Sequence, residues 1–125
     1  MGVRLYFRKV GDGPPLVLMH GLYGASDNWL TIAGKLSENY TVYALDLRNH
    51  GHSPHHPDHS YRSMVEDLAL FFSEHHLQPA VMMGHSMGGK VAMLFAADYP
   101  EKVKKLIVVD IAPKNYLLTG DDSHY

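Results

Sequence analysis

The 125-residue sequence contains no cysteine. That excludes a disulfide scaffold, a thiolate zinc centre and a cysteine nucleophile. It has a single tryptophan and no apolar run near the roughly 18 residues that a membrane-spanning helix needs. It lacks an excess of either charge: 11 Lys and Arg stand against 13 Asp and Glu, a formal net charge of -2. Nothing in that balance suits a phosphate backbone, so no nucleic acid is expected as a partner. The first residues, Met1-Gly2-Val3-Arg4-Leu5-Tyr6, have no apolar signal-peptide core, and Tyr6 breaks the myristoylation pattern. A cytoplasmic location is therefore the expectation. Hydrophobic residues make up 46% and charged residues 19%, the composition of a globular domain rather than a disordered chain. The one excess is histidine, with ten residues.

Apolar segments alternate with helical periodicities along the chain. Val3 to Val10 reads as a strand and Gly11 to Pro15 as a turn. Leu16 to Met19 is too short for a helix and suits a strand buried on both faces. The residues from Asp27 to Ser37 put Trp29, Ile32, Ala33 and Leu36 on one helical face, with Ser26 or Asp27 as N-cap. Thr41 to Leu45 is a strand that ends at Asp46. The spacing of Tyr61, Met64, Val65, Leu68, Phe71 and Phe72 predicts a helix capped by Ser60 or Ser63. Ala80 to Met83 is a further buried strand, Gly84 to Gly89 a glycine-rich turn, Val91 to Asp98 a helix, and Val103 to Asp110 a last strand. Such alternation predicts a single α/β domain over residues 1–125, with a mostly parallel sheet and helices on both faces.

Gly84-His85-Ser86-Met87-Gly88 matches G-x-S-x-G between a predicted strand and a predicted helix, the setting of a nucleophile elbow. A sharp turn there lifts Ser86 clear of the sheet at the positive end of a helix dipole, and Gly84 and Gly88 remove side chains that would collide. The plainer reading is a glycine-rich helix start that binds phosphate. A P-loop is excluded, because no G-x-x-x-x-G-K-[ST] occurs. Upstream, His20-Gly21-Leu22-Tyr23-Gly24 follows the Leu16–Met19 strand. Acyl transfer builds negative charge on a carbonyl oxygen, and each preorganised donor there is worth about 10²–10³ in rate. The backbone N–H groups of Leu22 and Met87 are the candidate oxyanion donors, with their side chains expected to shape an acyl pocket.

Together with Asp46-Leu47-Arg48-Asn49-His50-Gly51-His52-Ser53-Pro54 and Val108-Val109-Asp110-Ile111-Ala112-Pro113, these segments resemble the α/β-hydrolase family. The branch they resemble is that of the small esterases of the YbfF and ABHD11 types. The resemblance implies an eight-stranded, mostly parallel sheet and hydrolysis of a small-molecule ester or thioester through an acyl-enzyme on Ser86, with no cofactor and no metal. It implies Asp110 as the triad acid, at the end of the strand after the nucleophile helix. It makes His20 and His85 structural, alongside Gly21, Gly84 and Gly88. It places the catalytic histidine beyond this chain, so the sequence reads as the N-terminal half of a longer hydrolase, cut after the strand ending at Asp110. The 103–110 strand edge would then await the missing C-terminal half or a pairing chain, and this chain alone would be nearly inactive. The alternatives are a non-catalytic binding module, supported by the absent base, and another cofactor-free activity of the fold such as a haloperoxidase or lyase. His50, His52, His55, His56 and His59 fall within ten residues. A metal site is the sharp reading of that run, and a polar surface loop that takes up nickel adventitiously is the plainer and preferred one.

Overall fold

The computed structural model describes residues 2–19, 30–50, 52–85 and 87–109, with side chains left aside at 30–32. The elements run β1 (Phe7–Val10), β2 (Pro15–Met19), α1 (Leu30–Leu36), β3 (Thr41–Leu45), α2 (Tyr61–Glu74), β4 (Ala80–His85), α3 (Met87–Asp98), a 3-10 turn (Pro100–Lys102) and β5 (Val103–Val109). The five strands form one sheet in the order β1-β3-β2-β4-β5. Pairing is parallel for β3–β2, β2–β4 and β4–β5 and antiparallel only for β1–β3. The expected fold class is thus the observed one, with five strands among the described residues rather than the eight that the resemblance implies.

The central strands bury both faces because their side chains alternate between two cores. Leu16 and Leu18 of β2 join Val42, Ala44, Val81 and Ala33 of α1 on one side. Val17 and Met19 join Leu45, Met82 and the apolar stripes of α2 and α3 on the other. In α2 that stripe is Met64, Val65, Leu68, Phe71 and Phe72, at the expected helical spacing. Phe72 packs on Phe95 of α3 with ring centres 5.0 Å apart. Ser60 caps α2, its hydroxyl accepting from the Ser63 N–H at 3.2 Å. His75 and His76 end the helix: His76 takes a left-handed backbone (φ 50°) and the Leu77 N–H returns to the Phe72 carbonyl at 3.0 Å.

β4 runs on to His85 rather than ending at Met83, and two element starts differ by several residues from the sequence reading. β1 begins at Phe7 rather than Val3, because its partner β3 ends at Leu45, opposite Phe7. Before it the Tyr6 carbonyl still accepts from the Asp46 N–H at 3.0 Å, but the N–H groups turn elsewhere: Val3 donates to Asp67 Oδ1 at 2.7 Å and Tyr6 to Ser53 Oγ at 2.8 Å. The other difference is at α3, which begins at Met87 rather than Val91 and so takes Gly88 and Gly89 into its first turn. The helix expected from Asp27 to Ser37 is seen over Leu30–Leu36, and its expected caps lie outside the described residues.

Candidate active site

Because β2, β3, β4 and β5 run parallel, their carboxyl ends share one edge of the sheet, where ligand sites of open α/β sheets form. β4 lies between β2 and β5. The strand leading to Ser86 is therefore flanked by the strand leading to His20-Gly21-Leu22 and by the strand leading to Asp110. His20, Gly21, Leu22, Ser86 and Asp110 themselves lie outside the described residues.

The two ends of the serine turn are described. β4 closes at His85 and α3 opens at Met87, so a single residue separates strand from helix. Gly84 is what permits this. A Cβ there would stand 2.5 Å from the Gly88 carbonyl oxygen and 2.7 Å from the Gly89 nitrogen, so strand and helix backbones touch with no room for a side chain. Gly89 serves the same approach from the other side, where a Cβ would meet Val108 Cγ1 at 2.8 Å. As the first residue of a 12-residue helix, Met87 has an N–H with no intrahelical acceptor, at the positive end of the dipole. Met87 is 8% exposed and belongs to the main core. His85 is half-buried at the end of β4, opposite Val109.

Beside this edge, the chain after β3 is held by buried charges that the sequence reading passed over. Arg48, 1% exposed, donates from Nε to Asp67 Oδ2 at 2.7 Å and from Nη2 to Asp67 Oδ1 at 2.8 Å. Its Nη1 donates to the Asp58 carbonyl at 2.7 Å. The hydrogen bonds to Asp67 raise the Arg48 pKa above its ordinary value, against the opposing cost of burial. The available signal was Asp67 itself, a carboxylate on the apolar stripe three residues after Met64 and four before Phe71. Asp46, fully buried, accepts from the His52 N–H at 2.9 Å. Asp58 accepts from the Ser63 hydroxyl and, at 2.9 Å, from the Ser60 N–H. The Ser63 hydroxyl contributes most to holding the Asp58 carboxyl well below the usual carboxylate range.

Of the five loop histidines, the structure pairs two: the rings of His50 and His59 have centres 5.8 Å apart. Among the described residues, no three histidines or carboxylates converge as metal ligands, and no helix is long and apolar enough to cross a membrane. A groove of about 510 Å3 opens between Arg4, Phe7, Phe71, Glu74 and His75, and none of the candidate site residues lines it.

The profile of the alpha/beta hydrolase fold matches residues 14–123. The chain belongs to the α/β-hydrolase family. This α/β-hydrolase chain is 46% identical over 109 residues to the sn-1-specific diacylglycerol lipase ABHD11 of Danio rerio, covering 86% of this chain and 34% of that protein. It is 39% identical over 111 residues to esterase YbfF of Escherichia coli, covering 89% of this chain and 44% of that protein. Among solved structures, a marine microorganism esterase is 55% identical with a TM-score of 0.86, covering 89% of this chain and 43% of that one. The α/β-hydrolase chain thus spans less than half the length of these relatives and corresponds to their N-terminal part.

Proposed function

We propose that the chain carries the nucleophile and oxyanion elements of a serine hydrolase that cleaves a carboxylic ester or thioester. Ser86 attacks the carbonyl carbon, a histidine outside residues 1–125 takes its proton, and the oxyanion rests on the N–H groups of Leu22 and Met87. Asp110 orients the imidazole and balances the charge it gains. The leaving alcohol or thiol departs with that proton, and water then releases the acid from the acyl-enzyme. No cofactor takes part. His20, Gly21, Gly84, His85 and Gly88 shape the turn and loop around these groups, and the 103–110 strand edge is where the rest of the sheet, or a pairing chain, would continue.

One observation carries the reading: strand and helix are separated by Ser86 alone, with their backbones in contact at Gly84. A binding module has no need of that close approach. The names of the relatives, esterase and lipase, support the ester class. The test is fluorophosphonate labelling, with Ser86→Ala as control, in two settings. The chain alone should take little label, because a serine without a base is a poor nucleophile. A chimera in which these residues replace the matching part of YbfF should label strongly, and only with Ser86 present. A folded chimera that takes no label would refute the reading in favour of a non-catalytic module. Strong Ser86-dependent labelling of the chain alone would refute the assignment of the base outside it.

A further inference from the structure

We propose that Lys104 and Lys105 hold a small organic phosphate, a monoester dianion with an apolar group, in a groove at the amino edge of the sheet. Pro15, Val81 and Lys104 stand at the starts of β2, β4 and β5, so the groove lies at the opposite edge from the proposed hydrolase machinery and does not rest on it. Two observations support it.

The first is a break in the ladder that changes where the lysines face. Consecutive strand residues normally face opposite sides of a sheet. Here Ala80 of β4 pairs with Val103 and Val81 pairs with Lys105, so Lys104 is an extra residue in β5. The consequence is visible on either side of it. Val103 packs against the main core, whereas Ile107 packs against the second core, with Leu16, Val42 and Val81. Residues 103 and 107 would share a face in a regular strand. The extra residue turns Lys105 to the side of Ile107 and lets Lys104 border the same groove. Bulges commonly re-aim a side chain beside a site in this way.

The second is the lining. The groove has a volume of about 380 Å3, within the roughly 300–1,000 Å3 of small-molecule sites. Pro14, Pro15 and Val81 give it an apolar side, Tyr40 adds a ring, and Lys104 and Lys105 supply its charge. Among the described residues no carboxylate lines it, and neither lysine is in an ion pair or a side-chain hydrogen bond. The whole chain has a net charge of -2, so attraction for an anion is local to this groove.

These features select the ligand. A phosphate monoester carries a charge of about -1.5 to -2 at neutral pH and three acceptor oxygens, enough for both ammonium groups at once. A monocarboxylate would leave one lysine unmatched. Lysine binds phosphate as a point charge on a flexible stem, which lets adjacent residues reach one group. The apolar side receives the organic part, so an aryl ester should bind more tightly than inorganic phosphate.

The experiment is a titration of the isotope-labelled chain with phenyl phosphate at low salt, followed through amide NMR shifts. Saturable shifts are expected at Val81, Lys104 and Lys105. Inorganic phosphate and benzoate should each bind at least about fivefold more weakly. Lys104→Gln and Lys105→Gln should each weaken phenyl phosphate by at least about fivefold, and the double variant should show no saturable shift. Lys9→Gln and Lys102→Gln, outside the groove, should stay within about twofold. Lys104 and Lys105 are exposed, so their variants should keep the parent's urea midpoint, which shows that they fold. No saturable binding would overturn the proposal and leave the bulge and its lysines as a guard against edge pairing. Binding untouched by the double variant, equal losses from Lys9→Gln and Lys102→Gln, or equal affinity for inorganic phosphate would overturn it as well. Lysine-dependent sedimentation with phosphatidic acid vesicles, without phenyl phosphate binding, would replace the free ligand by a lipid surface.

Discussion

Removing the Asp67 carboxylate should be among the most damaging single changes available in this chain outside its apolar core. Arg48 and Asp67 are each 1% exposed and share two hydrogen bonds of 2.7 and 2.8 Å. In Asp67→Ala the guanidinium keeps its charge at the same depth, with only the Asp58 carbonyl still bonded to it, and the Val3 N–H loses its acceptor as well. Breaking one side of a buried pair costs about 3–5 kcal/mol, mainly because the surviving charge is uncompensated. A chain of this size is stable by about 6–19 kcal/mol at ~0.05–0.15 kcal/mol per residue, so the loss is a large share of the total. Urea unfolding followed by far-ultraviolet circular dichroism reads it as a fall in midpoint at unchanged slope. The double change Arg48→Met with Asp67→Leu, which removes both charges, should recover most of the loss. The exposed pair Arg4–Glu74, with the Arg4 side chain 81% exposed, supplies the control: Glu74→Gln should cause no measurable change. A loss below about 1 kcal/mol for Asp67→Ala would show that water reaches the guanidinium and would refute the argument.

Three further outcomes are expected. Gly84→Ala should destabilise by about 3 kcal/mol in the same unfolding assay, because its Cβ meets backbone at 2.5 Å and the strand end must part from α3. Gly34→Ala in α1, where a Cβ meets nothing within 4 Å, should stabilise by about 0.5–1 kcal/mol, and equal effects at the two glycines would contradict the close approach. Asp58 has a lowered pKa in the folded chain, so its contribution is intact above the ordinary carboxylate range and fades as the pH falls through and below it. Asp58→Asn should therefore be less stable than the parent near neutrality, with the gap closing in strong acid. A gap that persists there would show that the hydrogen bonds, not the charge, account for it.

Much of the architecture was legible because it rests on local pattern. Leu16–Met19 is apolar throughout and forms a strand whose side chains enter both cores. The stripe of α2 was readable at its true positions, and of the two caps the sequence offers, Ser60 and Ser63, the structure takes Ser60. The misjudged starts of β1 and α3 have one cause: where an element begins depends on what lies opposite. The sequence before Phe7 is as strand-like as the sequence after it, but beyond the one bond from the Asp46 N–H to the Tyr6 carbonyl its N–H groups go to the side chains of Ser53 and Asp67. Gly88 and Gly89 are poor helix formers, yet the contact between Gly84 and Gly88 draws them into α3.

The same division holds for chemistry. The motif around Ser86, the loop at 20–24 and Asp110 are proposed from residue types in order along the chain, and the parallel sheet explains why the strands that lead to them share an edge. By contrast, the pairing of Arg48 with Asp67 across 19 residues, the full burial of Asp46 and the approach of His50 to His59 have no local signature. A carboxylate or an imidazole carries no periodicity that says whether it faces water or another charge. Sequence alone determined the alternation of strands and helices and the family, because hydrophobic spacing and turn chemistry act over a few residues. Only the tertiary structure decided which polar groups were desolvated together, because that depends on segments that meet after the chain has folded.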